Sequence, residues 1–213
     1  MSTFIILVLL VVAVVGIIAW QRSQNQSASG SSNSAQSLPL TIQNVGPGGV
    51  LHLSWAGSQM LDLDVEIVGR HLYREDGFEW FELEGESSEG KVWIEVEEDD
   101  ELEISVSLRQ LKLGDIGLNP EKLAEIEKRD EGKIELEGRT YEYEDWGKAQ
   151  FLRNGSNSRP ESFKYWDFES EDGKWFLGIE RWGEREYLAY LSQAVSPSHI
   201  DIFSLGTEDN AVN

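Results

Sequence analysis

The chain has 213 residues, with 39 acidic side chains against 18 basic ones, a formal charge of −21 at pH 7, eight tryptophans and no cysteine. Such a charge repels phosphate and so argues against nucleic acid as a partner. The missing cysteine excludes a disulfide framework, a zinc site of the usual nitrogen and sulfur type and a Cys-His nucleophile, so the core must come from apolar burial.

Residues 4–20 (FIILVLLVVAVVGIIAW) form an unbroken apolar run without charge or proline. As a helix these residues would rise roughly 26 Å, close to the thickness of a bilayer's hydrocarbon core. A cleaved signal peptide fits less well, because no basic residue precedes the run and Trp20 and Arg22 stand where small residues are needed. The expectation for residues 1–20 is therefore a single transmembrane anchor. Arg22 is the first basic residue and lies just after the run, so the positive-inside rule places the rest of the chain in the cytoplasm. Residues 21–38 are rich in Ser, Gln, Asn and Ala and predict a flexible polar linker with a reach of roughly 20 to 25 Å.

All 39 acidic residues lie beyond that linker, against 17 basic ones (18 less Arg22), so residues 39–213 carry a charge of −22. Seven tryptophans and regularly spaced β-branched residues mark this stretch as folded and not disordered. Period-two patterning predicts strands over 40–45, 50–55, 64–73, 79–84, 92–97 and 102–108, then 134–143, 149–153, 163–169, 175–180, 187–191 and 200–205. Val92, Ile94 and Val96 share one strand face, as do Leu102, Ile104, Val106 and Leu108, and the turn between the two strands is all carboxylate. Helix is scarce: Asn119-Pro120 is a start signal for one short helix to about Arg129.

The strings FEWFELE at 78–84 and FKYWDFE at 163–169 line up, and after each a turn leads to GKVWIEVE at 90–97 and GKWFLGIE at 173–180. Gly69-Arg70 and Gly138-Arg139 look like further equivalents upstream. An internal repeat over about 39–110 and 134–205 follows. The expected fold is mainly β: duplicated antiparallel lobes forming a sandwich or barrel-like domain with one short helix, behind the N-terminal transmembrane helix.

Taken together, Asn44-Val45-Gly46-Pro47-Gly48-Gly49-Val50, Trp80 with Glu82-Leu83-Glu84, the 92–102 string, Tyr165-Trp166-Asp167-Phe168 and Ile179-Glu180-Arg181-Trp182-Gly183 resemble the bacterial domain-of-unknown-function family numbered 4178. The resemblance covers residues 38–205 and implies a membrane-anchored form with no established activity. It also implies a link to envelope upkeep or polyamine physiology, because relatives are often encoded near phage-shock-protein-A-like membrane proteins and polyamine-biosynthesis enzymes.

Catalytic signatures are missing from the sequence: there is no G-x-S-x-G elbow, P-loop or dinucleotide fingerprint, and His52, His71 and His199 are scattered. No catalytic residue, metal or cofactor is assigned. Glu97, Glu98, Asp99, Asp100 and Glu101 are candidates for holding a polyamine or divalent cation, without the spacing of an EF-hand. Glu180, the repeat equivalent of Glu97, joins them and raises the question of a paired-carboxylate site. Most aromatic side chains are expected in the core, with Trp93 and Trp182 as an exposed platform. The function these features favour is a membrane-tethered, cytoplasm-facing binding or scaffold domain for a basic or membrane-associated protein. The alternative is an enzyme or enzyme accessory acting on a cationic metabolite such as a polyamine.

Overall fold

The computed structural model describes residues 38–56 and 61–206. Eleven strands follow one another as β1 (Gly49–Ala56), β2 (Leu61–Glu75), β3 (Phe78–Ser87), β4 (Gly90–Glu98), β5 (Leu102–Leu111), β6 (Lys133–Leu136), β7 (Arg139–Leu152), β8 (Glu161–Ser170), β9 (Trp175–Trp182), β10 (Glu186–Ala194) and β11 (Ile200–Leu205), with one α-helix, α1 (Pro120–Arg129), between β5 and β6. All belong to one antiparallel sheet in the order β11-β1-β2-β3-β4-β5-β10-β9-β8-β7-β6.

That sheet closes on itself. Leu72, Tyr73 and Arg74 of β2 pair with Leu152, Phe151 and Gln150 of β7, so β2-β3-β4-β5-β10-β9-β8-β7 becomes a ring of eight strands. The repeat explains the closure. The first unit, β1 to β5, and the second, β6 to β10, have the same strand order, and they meet through two equivalent contacts, β5 with β10 and β2 with β7.

Each unit builds a core on the outer face of the ring. In the first, Leu51, Leu53, Val65, Ile67, Leu83, Ile94, Val96 and Val106 pack together. In the second, Trp166, Phe168, Leu177, Ile179 and Leu191 pack beneath α1 through Leu123 and Ile126. Side chains of this size each contribute about 1.5–3 kcal/mol when fully buried. Helix α1 begins at Asn119, whose side chain accepts a hydrogen bond from the Lys122 N–H at 2.8 Å. It is tied to β8 by Lys164 and by the Trp166 indole, which donate to Glu127 at 2.6 and 2.9 Å.

A β-bulge in each long strand lets that strand serve two faces. In β2 the register slips between Ile67 and Gly69, so Leu63, Val65 and Ile67 face the outer core while Tyr73 turns to the ring interior and His71 packs against Trp93 and Phe151 behind the cavity wall. In β7 the slip lies between Tyr143 and Asp145, so Tyr141 and Tyr143 face the second core while Ala149 and Phe151 join Tyr73 and Phe163 at the seam. Without the extra residue, alternation would carry the interior set back to the outer face.

Several expectations are corrected. The transmembrane anchor expected over residues 1–20 lies outside the described residues, as does the linker expected over residues 21–38 except for Leu38. Among the described residues no helix is long and apolar enough to cross a membrane, and the α-helix there has ten residues. The fold class is thus a mainly β domain with one short helix, not a β domain shown behind a transmembrane span. Residues 40–45 are not a strand but contain a 3₁₀ turn at Ile42–Asn44. The strand expected over 134–143 is a hairpin, broken at Glu137 and Gly138, both with positive φ. Gly138 therefore turns a hairpin while Gly69 sits inside β2, and the two are not equivalent.

The seam is tight. A Cβ on Gly147 would overlap the Tyr165 hydroxyl and the Glu75 carboxylate, which are hydrogen-bonded to each other there. Gly147→Ala should lower stability by about 1–3 kcal/mol, whereas Gly114→Ala, with open space around its Cβ, should leave it nearly unchanged in the same urea titration.

Candidate functional site

The interior of the ring is not filled. It holds a cavity of about 1140 Å³ whose lining includes eleven carboxylates and, as its one basic residue, Arg153. Strand alternation puts them there. With Val92, Ile94 and Val96 in the outer core, Trp93, Glu95 and Glu97 of β4 must face inward, as do Trp80 and Glu82 of β3 and Glu103 and Ser105 of β5. From the second unit come Phe163, Tyr165, Asp167 and Glu169 of β8, Phe176, Gly178, Glu180 and Trp182 of β9, and Tyr190 of β10.

Within the lining, register brings like charges together. Glu82 is the cross-strand partner of Glu95, and Glu97 of Glu103. Directly opposed like charges are destabilising in a sheet. Elsewhere the chain sets cations against its carboxylates: Glu84 is paired with Lys91, Glu127 with Lys164, Glu137 with Arg109 and Glu142 with Lys133, and His71 adds a hydrogen bond to Glu84. Among the described residues, the lining carboxylates have one such partner, Arg153 at 3.9 Å from Glu161.

The protonation equilibria follow from this division. Burial would raise the Glu84 carboxyl, but Lys91 and His71 hold it below its usual value. In the cavity, burial and then Glu180 push Glu82 up to about 8, against the opposing hydrogen bond from the Tyr73 hydroxyl. Burial raises Glu95 well above its usual value, with Glu82, Glu97 and Asp167 adding repulsion. Asp167 rises to about 7 through burial, Glu97 and Glu180, although its side chain is open to solvent. That exposed side chain is part of the cavity lining, which it shares with ten other carboxylates. Burial takes Glu180 to about 7, partly offset by the Trp182 indole N–H, which donates to it at 2.8 Å. Glu97 rises through burial and then Glu103.

Aromatic rings form the rest of the wall. Phe78, Trp80 and Tyr73 stack in sequence, with centroids 5.9 and 5.3 Å apart, leading inward from exposed Phe78. Trp182 stacks on Phe163 at 4.7 Å and meets Phe151 edge-on at 5.5 Å. Buried His71 sits behind the wall, its Nδ1 accepting from the Asn154 N–H at 3.1 Å, which leaves its Nε2 to donate to Glu84.

The sequence candidates fall in two places. Glu97, Glu180, Trp93 and Trp182 all line the cavity, and each is half-buried. Glu98, Asp99, Asp100 and Glu101 lie at the exposed β4–β5 turn. Asp99, Asp100 and Glu101, with Phe78, Glu97 and Glu103, line a second recess of about 330 Å³. Phe78, Glu97 and Glu103 line both spaces, so the recess adjoins the cavity. Among the described residues no three His, Asp or Glu side chains converge closely enough to hold a metal ion. Sequence reasoning missed Glu82, Glu95, Glu103 and Asp167. For two of them a signal was available: Glu82 shares parity with Trp80, and Glu95 with Trp93, on the face opposite Leu83, Ile94 and Val96.

An eight-stranded antiparallel ring around a partly open cavity, walled by carboxylates and aromatic rings, defines a closed-barrel type of β domain. The chain belongs to the DUF4178 family, described as a domain of unknown function, whose sequence profile matches residues 61–197. No curated protein and no solved structure matches it.

Raised carboxyl groups hold protons in the folded state that the unfolded chain has already released. Their stabilising effect is full below the usual carboxyl value of about 4.5 and is lost as pH rises through 7 and 8. The ligand-free protein should melt at a lower temperature at about pH 8.5 than at about pH 6.5, and Glu95→Gln should flatten that dependence. A melting temperature that stays level or climbs over this range would count against unpaired carboxylates in the cavity.

Proposed function

We propose that the domain binds an organic amine cation in the cavity of the ring. The observation that carries this reading is the set of inward carboxylates left without basic partners beside aromatic walls. An ammonium group supplies the missing positive charge, relieves the repulsion between Glu82 and Glu95, and gains cation–π attraction of about 0.5–2 kcal/mol from rings such as Trp80 and Tyr73. The volume suits a ligand of metabolite size. Polyamines fall within this class. The stacked series from Phe78 to Tyr73, beside the carboxylate turn, is a suitable entrance.

A second reading treats the same groups as proton donors and acceptors. Carboxyls that titrate near 7 to 8 are poised for general acid–base work, so the domain would turn over a cationic substrate instead of only holding it. Product formation from the bound amine would favour this reading.

Calorimetry of the full chain with spermidine at low ionic strength tests the proposal. Binding should tighten between about pH 6.5 and 8.5 as the carboxyls lose their protons, and should weaken about tenfold in Glu82→Gln and in Glu95→Gln. The same substitutions should raise the melting temperature of the ligand-free protein at about pH 8, because they remove repulsion. Failure of any amine to bind at millimolar concentration would sink the reading.

A further inference from the structure

The two units meet at two junctions of unequal length. Between β5 and β10 the ladder runs along β10 from Ala189 to Ala194, whereas between β2 and β7 it covers only Leu72, Tyr73 and Arg74. Beyond each end of that short ladder a side chain of β2 takes the place of a backbone carbonyl. Glu75 accepts the Lys148 N–H at 3.0 Å at one end, and His71 Nδ1 accepts the Asn154 N–H at 3.1 Å at the other. His71 is buried against the rings of Trp93 and Phe151, with centroids 5.8 and 5.1 Å away. Gly69 leaves room for it, since an added Cβ would lie 2.9 Å from its Nε2. The amide that His71 holds belongs to a left-handed residue, Asn154 with a φ of 50°, a conformation that surrounding contacts must fix. Tyr73 and Phe151 are paired across the seam and both line the cavity, so parting these strands opens the cavity wall.

We propose that the ring opens along the β2–β7 seam, and that neutral His71 is the clasp that keeps it shut until a proton binds Nδ1. An imidazolium carries N–H at both nitrogens, so it cannot accept from Asn154, and two donors then face each other. Its Nε2–H continues to donate to Glu84, whose charge favours the imidazolium, but Glu84 already has Lys91 as its ion-pair partner. The charged groups around the ring are thus Glu84 from β3, Lys91 from β4 and Arg153 from the turn after β7. Burial, aided by Arg153 and Lys91, outweighs Glu84 and holds His71 below its usual value of 6.5. The clasp is therefore closed above about pH 6.5, and the stability it contributes is lost as pH falls through that lower value. Opening of this kind is independent of what the cavity binds.

Hydrogen exchange of the full chain, read by mass spectrometry at about pH 7.5 and 5.5 with exposure times scaled for the intrinsic rate, tests the clasp. Amides of 72–74 and 150–154 should lose protection about tenfold or more at the lower pH, the effect of one buried hydrogen bond lost, while those of the β5–β10 junction keep theirs. Protonating the cavity carboxyls acts in the opposite direction, because it relieves repulsion, and so does not mimic that loss. The midpoint of the loss should match the titration of the His71 ring followed by nitrogen-15 NMR. His71→Asn, whose Oδ1 replaces Nδ1 as acceptor but does not titrate, should keep the seam protected at both pH values. A midpoint away from that of His71, or a loss that persists in His71→Asn, would overturn the clasp. Seam amides as well protected at pH 5.5 as at pH 7.5 would overturn both the clasp and the opening.

Discussion

The pairing of Leu72, Tyr73 and Arg74 with Leu152, Phe151 and Gln150 turns an open sheet into a ring, and the inward carboxylates owe their unusual state to that closure. In an open sheet the face bearing Glu82, Glu95 and Glu97 would meet bulk water, where neighbouring carboxylates are screened and repel weakly. Closed, the same face looks at its counterpart from the second unit, and each charge meets others across a confined space. The two bulges make this geometry available. They let one strand bury aliphatic side chains at one end and present aromatic and polar ones to the cavity at the other.

A structure that opposes Glu82 to Glu95 and Glu97 to Glu103 gives up stability that lysines in those positions would restore. The chain has the means to neutralise its carboxylates, as Lys91 does for Glu84 and Lys164 for Glu127, but it does so outside the cavity. The repulsion is sustained by the outer cores, where Leu51, Leu53, Leu83, Ile94, Leu177 and Ile179 are almost wholly removed from water. Under the proposed amine-binding function, stability is held in the scaffold and the uncompensated charge at the site.

Much of this was legible in the sequence. The face shared by Val92, Ile94 and Val96, the Asn119-Pro120 helix start, and the correspondence of β3 with β8 and of β4 with β9 all follow from local pattern. The bulges at 68 and 144 were not legible, because a one-residue register slip is decided by what each end of the strand must pack against. For the same reason the hairpin at Glu137-Gly138 read as one strand. Glu97, Glu180, Trp93 and Trp182 were picked out at strand ends, but Glu82, Glu95 and Asp167 looked like ordinary solvated residues until ring closure set them facing inward. Alternation tells which residues share a face; it does not tell whether that face meets water or another sheet segment.

Carbon-13 NMR of the side-chain carboxyls across a pH titration of the ligand-free full chain addresses the central claim directly. A group of Glu and Asp signals with midpoints near 7 to 8, lost one by one in Glu82→Gln, Asp167→Asn and Glu180→Gln, is the expected result. If every carboxyl titrates with a midpoint below about 5, the interior carboxylates are solvated like those of any exposed surface, and the confined acidic cavity is contradicted.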